Sequence, residues 1–454
     1  MNPSSAQNPY YGSVTAGSAT TEVLHLALDD AIARGIRTNL ALTEARAGQE
    51  QADAQRLEAL DALLPDLRAQ ASTGAHQFNL AQFGFNQGLI PQFATIIPNF
   101  NPADFKLITK VDVTQVQATY RQTFFDLSAI ERYRAARVGT RSAFYSMQSS
   151  RGLVVLNVGN AYLQALADGA QVDSATALMH ADDVLLQQAS AEHEAGTAAN
   201  LDELRARVQF QAQQQRVIAA QNLYDKALIL LKREIGVPVE QPIQLTDAAP
   251  YADLETMRIE DAKRQAYTQR QDYLGMQQQL LAAYLSRKAA KYERLPTLSA
   301  DGNYGVTGET HGLYHGTFLA EGTLRVPIFK EAQFRGDAQV ATAQRNSVEQ
   351  QLANLRSQID QQLRDSILDI QSSQELVRVA QNNVALATSE VEQANDRFVA
   401  GVDTNLAVVQ AQATLAGAQS TLINDTLTYN QAKLGLARNL GIVDTQYRAY
   451  LHGR

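Results

Sequence analysis

The sequence predicts a mainly α fold, internally duplicated, built from long antiparallel helical hairpins joined to strands of the transmembrane β-barrel kind. Three observations predict it. The two halves of the chain align with each other, helical periodicity runs unbroken over stretches of uncommon length, and paired short segments switch from a helical period to strict alternation.

The duplication shows where the helices should turn. EHEAGTAANLDELRAR (Glu192 to Arg207) aligns without gaps with RFVAGVDTNLAVVQAQ (Arg397 to Gln412), each with a Leu five residues after its Gly. At the same offset LYDKALILLKREIGV meets TYNQAKLGLARNLGIV, both closing on Gly between apolar residues, which suits a helix end. Leu64-Pro65 and Leu295-Pro296 are a third match, and Pro ends a helical pattern in both places. These landmarks divide the chain into a flexible N-terminal segment over 1–20 and a first repeat over 21–236. In that repeat a helix reaches about residue 64, strands fall within 65–127, and a hairpin over 128–236 turns at Gly196. A linker over 237–261 leads to a second repeat over 262–441, with helix to about 294, strands within 295–328 and a hairpin over 329–441 turning at Gly401. A tail over 442–454 follows.

In the later hairpin Val377, Ala380, Val384, Ala387, Val391, Ala394 and Phe398 recur at alternating steps of three and four, the seam of a coiled coil. After Gly401 the alternation continues through Leu406, Val409, Ala413, Ala416, Ser420, Ile423, Leu427, Asn430, Leu434 and Ala437. The earlier copy is less regular, because Asp182, His193, Gln211 and Gln215 fall on its seam. From about Ser128 to Ala195 nothing breaks the helix, which at roughly 1.5 Å per residue is on the order of 100 Å. Such a rod suits a protein that bridges a wide gap.

The alternating segments have one apolar side. Leu298, Ala300, Gly302, Tyr304 and Val306 share a face, as do Phe318, Ala320, Gly322, Leu324 and Val326. Leu67, Ala69 and Ala71 oppose Arg68, Gln70 and Ser72, and Val116, Ala118, Tyr120 and Phe124 oppose Gln115, Gln117, Thr119, Arg121 and Thr123. About ten residues is the length a tilted strand needs to cross the hydrocarbon of a bilayer. The segments between, GVTGETHGLYHG and the long Pro- and Gly-punctuated stretch from His76 to Phe105, read as exposed loops. A soluble sheet packed on a helix would also alternate, yet no amphipathic helix beside these strands is placed to cover them. Four strands are too few for a closed barrel and lipid tolerates no open edge, so the membrane reading demands several copies of the chain.

Composition removes other classes. The chain of 454 residues carries a net charge of −8 and no basic run, which argues against a nucleic-acid partner. It has no Cys, so thiol catalysis, Cys metal sites and disulfides are absent. No 18-residue apolar run occurs, and the first residues lack the features of a signal peptide, as expected of a mature chain or of one that stays inside. His311 and His315 stand four apart in a Gly-rich loop without a third ligand, GVTGETHG lacks the ending of a phosphate loop, and Glu192-His193-Glu194 reads as solvated helix surface. No catalytic constellation emerges, and no cofactor is expected.

The duplication, the opening LALDDAIARGIRTNLAL, the helix-ending LPDL and LPTL, RVPIFKEAQFRGDAQVATAQ and above all the turn RFVAGVDTNLAVVQAQ resemble the TolC-like outer-membrane efflux channels, from about Thr21 to the last helix. The resemblance implies a homotrimer whose twelve strands form one barrel in outer-membrane lipid, continuous with a twelve-helix periplasmic α-barrel and a small mixed equatorial region. It implies a passive exit duct of a tripartite efflux or type I secretion system, opened when its tip docks a periplasmic membrane-fusion adaptor and an inner-membrane pump of RND, ABC or MFS type. The adaptor-docking tip maps to Gly196, Thr197, Leu201, Gly401, Val402 and Leu406. The family's constricting aspartates fall on Ala407 and Gln410, so that acidic ring is missing, and Asp202, Glu203 and Asp403 are the nearest acidic residues, with Phe398 beside them. As starts of solvated helices these acids also suit the helix dipole. A soluble periplasmic coiled-coil scaffold or adaptor is the alternative reading.

Overall fold

The protein is seen in a computed structural model that describes residues 12–85, 88–196, 199–248, 251–255 and 257–452. Along them run β1 (Leu24–Leu26), α1 (Leu28–Thr38), α2 (Leu40–Asp61), β2 (Asp66–Asn79), α3 (Ile90–Phe93), β3 (Ile108–Phe125), α4 (Leu127–Glu194), α5 (Asn200–Ile235) and β4 (Ile243–Leu245). Then follow α6 (Ile259–Gln269), α7 (Gln271–Tyr292), β5 (Thr297–Glu309), β6 (Tyr314–Arg325), α8 (Glu331–Val399), α9 (Asn405–Leu440) and α10 (Val443–His452). Helix lengths pair off across the halves: 11 residues in α1 and α6, 22 in α2 and α7, 68 and 69 in α4 and α8, 36 in α5 and α9. The repetition seen in the turn sequences therefore extends to eight helices, α3 and α10 having no counterpart among the described residues.

Two compact units are formed, one from Met1–Ala52, Gly139–Leu280 and Ser347–Arg454, the other from Asp53–Val138 and Leu281–Asn346. The second holds a four-stranded antiparallel sheet in the order β2-β3-β5-β6. Its register aligns the apolar residues of all four strands. Leu67, Tyr120, Gly302 and Ala320 form one row across the sheet, Ala69, Ala118, Tyr304 and Phe318 the next, and Ala71, Val116, Val306 and Gly316 a third. Between them lie Arg68, Thr119, Asn303 and Leu319, then Gln70, Gln117, Gly305 and Thr317. Cross-strand partners share a face, so one side of the sheet is oily and the other mostly polar. The oily side is open: Tyr304 is 71% and Phe318 79% exposed. The outer edges of β2 and β6 have no strand partner among the described residues.

Three expectations for this unit need correction. The strands have 12 to 18 residues, longer than about ten. Phe124 does not continue the oily row, because a bulge between Thr123 and Phe125 makes Phe125 the partner of Leu298. The stretch from His76 to Phe105 is not irregular throughout: β2 runs to Asn79, 3-10 turns occupy Leu80–Phe83 and Pro102–Asp104, and α3 lies between them. Phe85, Phe93, Phe100 and Phe105 close a ring of aromatic contacts with centroids 5.8 to 6.1 Å apart, supplying a local core that a Pro-rich sequence does not advertise.

In the first unit the core gathers Leu26, Ile32, Val154, Val158, Tyr162, Leu231, Ile235, Leu434 and Leu440. The parallel pair β1–β4 lies beside it, and Tyr162 donates from its hydroxyl to the Leu26 carbonyl at 2.9 Å. The helix expected up to residue 64 is broken at Asn39, whose Oδ1 accepts from Ala41 N at 3.0 Å and caps α2 while its own N–H closes α1 on the Gly35 carbonyl. Arg270 makes the equivalent break between α6 and α7. Ser13, Val14 and Ala16 donate backbone bonds to the carbonyls of Arg233, Thr38 and Gly236, so this stretch is laid along the ends of α1 and α5.

The coiled-coil seam is partly displaced. On α8 Val377, Ala380 and Ala387 are buried, with Val384, Val391, Ala394 and Phe398 half-buried. On α9 Asn430, Leu434 and Ala437 are buried as expected. Toward the turn, however, the buried positions are Asn405, Val408, Ala411 and Gln412, whereas Leu406 and Ala413 are exposed. The sequence is apolar in both phases there, at Val408 as at Val409, so periodicity alone does not select one; packing against the first hairpin does.

Candidate functional site at the hairpin turns

Both hairpins reverse at a glycine with left-handed backbone, Gly196 at φ +73 and Gly401 at φ +71, and a Cβ added to either would meet nothing within 4 Å. Backbone handedness alone therefore selects glycine here. In the second turn Gly401 N donates to the Phe398 carbonyl at 2.9 Å and Val402 N to the Arg397 carbonyl at 3.0 Å. The Arg397 side chain also pairs with Asp403 at 3.2 Å, and Asp403 Oδ1 accepts from Thr404 N at 2.8 Å. In the first turn Gly196 N donates to the His193 carbonyl at 2.9 Å, and Thr197 lies outside the described residues.

Asp202 and Glu203 occupy the first turn of α5, where the dipole favours them, and are paired with Arg205 at 3.4 Å and Arg207 at 2.6 Å. All three candidate acids of the tip thus have an arginine partner. Leu201, Val402 and Leu406 are exposed; Phe398 and Ala407 are half-buried; Gln410 is exposed. The two turns meet through Asn405, only 1% exposed, whose Nδ2 donates to the Asp202 carbonyl at 3.5 Å. Sequence reasoning missed Asn405, and the one signal available was an Asn at the first position of a helix.

Further from the turns the two hairpins are joined by polar contacts. Gln171 on α4 donates to the Ser420 hydroxyl of α9 at 3.1 Å, and Ser174 to Gln419 at 2.7 Å. Within the first hairpin Gln213 donates to the Ala175 carbonyl at 3.0 Å and Gln209 to Asp182 at 3.3 Å. Burial pushes the Asp182 carboxyl up to about 6, offset in part by the Gln209 bond. Of the polar seam positions read from the sequence, Asp182 is buried and His193 half-buried, whereas Gln211 and Gln215 are exposed and Gln213 is buried instead; these polar contacts join helices by bonds that water can replace.

Among the described residues no helix is long and apolar enough to cross a membrane. His311 lies in the turn between β5 and β6, and His315 opposes Thr307. Among the described residues no three or more potential metal ligands gather.

Long duplicated hairpins with paired glycine turns, and a two-faced sheet with open edges, define a channel-forming chain. The match to the family model for outer membrane efflux proteins covers residues 31–237 and 264–442, and the chain belongs to that family. It is thereby an export channel of the bacterial outer membrane with a periplasmic helical extension, not an enzyme. Its relatives include the pyoverdine export outer membrane protein OpmQ of Pseudomonas aeruginosa, 24% identical over 91% of this chain and 85% of that one. The alkaline protease secretion protein AprF of the same organism is 24% identical over 80% of this chain and 76% of its own length. The crystal structure of the Campylobacter jejuni CmeC outer membrane channel superposes with a TM-score of 0.76 at 15% identity, covering 92% of this chain and 86% of that one.

Proposed function

We propose that the chain is one protomer of a homotrimer whose three sheets join edge to edge into a twelve-stranded outer-membrane barrel. The carrying observation is the register of the sheet: apolar residues on four strands form continuous rows, their face is uncovered, and β2 and β6 end without partners. An open edge is costly in lipid, and closure with copies of itself supplies the missing bonds.

The hairpins of the proposed repeats, 21–236 and 262–441, form the periplasmic α-barrel, and the stretch 237–261 contributes to an equatorial region. Gly196, Thr197, Leu201, Gly401, Val402 and Leu406 dock a membrane-fusion adaptor. Phe398, Asp202, Glu203, Asp403, Ala407 and Gln410 lie around the entrance. With Ala407 and Gln410 in place of acids and the remaining acids held by arginines, the entrance closes by packing and polar links more than by a ring of charge. Opening separates the hairpins where Gln171, Ser174 and Asn405 bridge them. The duct is passive, and an RND, ABC or MFS pump in the inner membrane supplies the energy. Relatives named for pyoverdine export and for alkaline protease secretion support a wall that leaves the choice of cargo to those partners.

Fractionation tests this. A heat-modifiable oligomer in detergent extracts of the outer membrane is the expected result; a monomer in the soluble periplasmic fraction would contradict it and favour the scaffold.

A further inference from the structure

Unit two holds a groove of about 760 Å3 between the last turns of α7 and the first turns of α8. Arg287, Lys291, Arg294 and Arg335 line it, and no carboxylate does. Glu331, just outside, pairs with Arg335 at 2.8 Å and with Arg294 at 3.6 Å. Arg287 has no carboxylate partner among the described residues and is held by the Thr342 hydroxyl at 3.0 Å; Lys291 has none either. Four cations face one carboxylate in a chain whose overall charge is −8, so like charges are concentrated here against the trend of the composition. That arrangement is self-repulsive unless an anion sits between them.

We propose that this groove binds the phosphate of an anionic lipid headgroup. The guanidinium of Arg287, positioned by Thr342, and the Lys291 ammonium grip the phosphate oxygens, and Tyr292 and Leu295 offer apolar surface to the glycerol and first methylenes. The position suits a lipid. Arg294 precedes the first residue of β5 by three positions, and between the end of β6 and the start of α8 stand Ile328 and Phe329, 84% and 98% exposed. Cationic side chains beside exposed apolar ones at strand ends match the interfacial layer of a bilayer. The inference rests on the membrane reading above, which places those strand ends at the lipid surface.

Native mass spectrometry of the detergent-purified oligomer tests it, with phosphatidylglycerol, zwitterionic phosphatidylethanolamine and free glycerol 3-phosphate as probes. The wild type is expected to retain phosphatidylglycerol over phosphatidylethanolamine, and R287Q/K291Q to hold it about tenfold more weakly, the loss expected for removing charge-assisted contacts. Glu331→Gln, which removes the competing carboxylate, is expected to strengthen retention. This opposite sign is one a folding defect would not produce, and it decides the matter should the double variant fail to assemble. Tight binding of glycerol 3-phosphate alone would keep the phosphate chemistry and move its source from lipid to solute. Equal retention of both lipids, or retention unmoved in both variants, overturns the proposal. An intact outer-membrane oligomer giving those results would refute the groove alone, whereas a water-soluble chain would refute the membrane reading itself.

Discussion

Tyr304 on β5 and Phe318 on β6 are direct cross-strand partners, and both rings stand in the open on the apolar face of the sheet. A pair of uncovered aromatics is costly in water and stable in lipid. Phe318→Arg is therefore expected to cost about 2–4 kcal/mol if the residue lies near the bilayer midplane, and to deplete the outer-membrane oligomer. Thr317→Arg, one residue away on the polar face, is expected to leave it nearly unchanged. Heat-modifiable bands on gels of membrane fractions read both variants.

Gly401 sits in left-handed backbone with empty space around its Cα. Gly401→Ala should cost about 1–2 kcal/mol through backbone strain alone, and Gly401→Asn less, because Asn tolerates that region better. Thermal unfolding of the detergent-purified protein would rank glycine above Asn and Asn above Ala; equal midpoints would show that the turn is not conformationally demanding.

Phe398 is only half-buried within one chain, so in the proposed assembly its remaining surface is available to neighbouring helices. Phe398→Ala should loosen the closed tip and raise single-channel conductance in planar bilayers, at a stability cost below the roughly 3–5 kcal/mol of a fully buried Phe. Unchanged conductance would remove Phe398 from the entrance.

Glu234 at the end of α5 is 2% exposed, and burial pushes its carboxyl up to about 7. Because the folded value exceeds the ordinary 4.5, the neutral form is the stabilising one. Its contribution is complete below pH 4.5 and is lost as pH rises to about 7, a change on the order of 3 kcal/mol. Glu234→Gln should flatten the dependence of the melting temperature on pH across that window. A slope identical to that of the wild type would assign the dependence to other groups.

Much of this was legible in the chain. Pro65 and Pro296 marked the passage from helix to strand, and alternation at Leu298 to Val306 marked the apolar face, because each rests on local stereochemistry. The α9 register near Asn405 was not legible, since Val408 and Val409 satisfy either phase and a contact more than 200 residues away selects one. The break at Asn39 was hidden for a local reason: an Asn inside a helical pattern reads as surface until its capping bond to Ala41 N is seen. The groove at Arg287 and Lys291 joins residues of two helices that the sequence separates by the whole β5–β6 hairpin.

The pooling of strands between subunits is tested most directly by cross-linking. The chain has no native Cys, so cysteines introduced singly along β2 at Arg68, Gln70 and Ser72 and along β6 at Thr317, Leu319 and Glu321 report only on the designed pairs. In intact outer membranes, chains carrying one cysteine on each edge should form a ladder ending at a covalent trimer, while single-edge chains should not. Monomers alone for every pair would contradict the account.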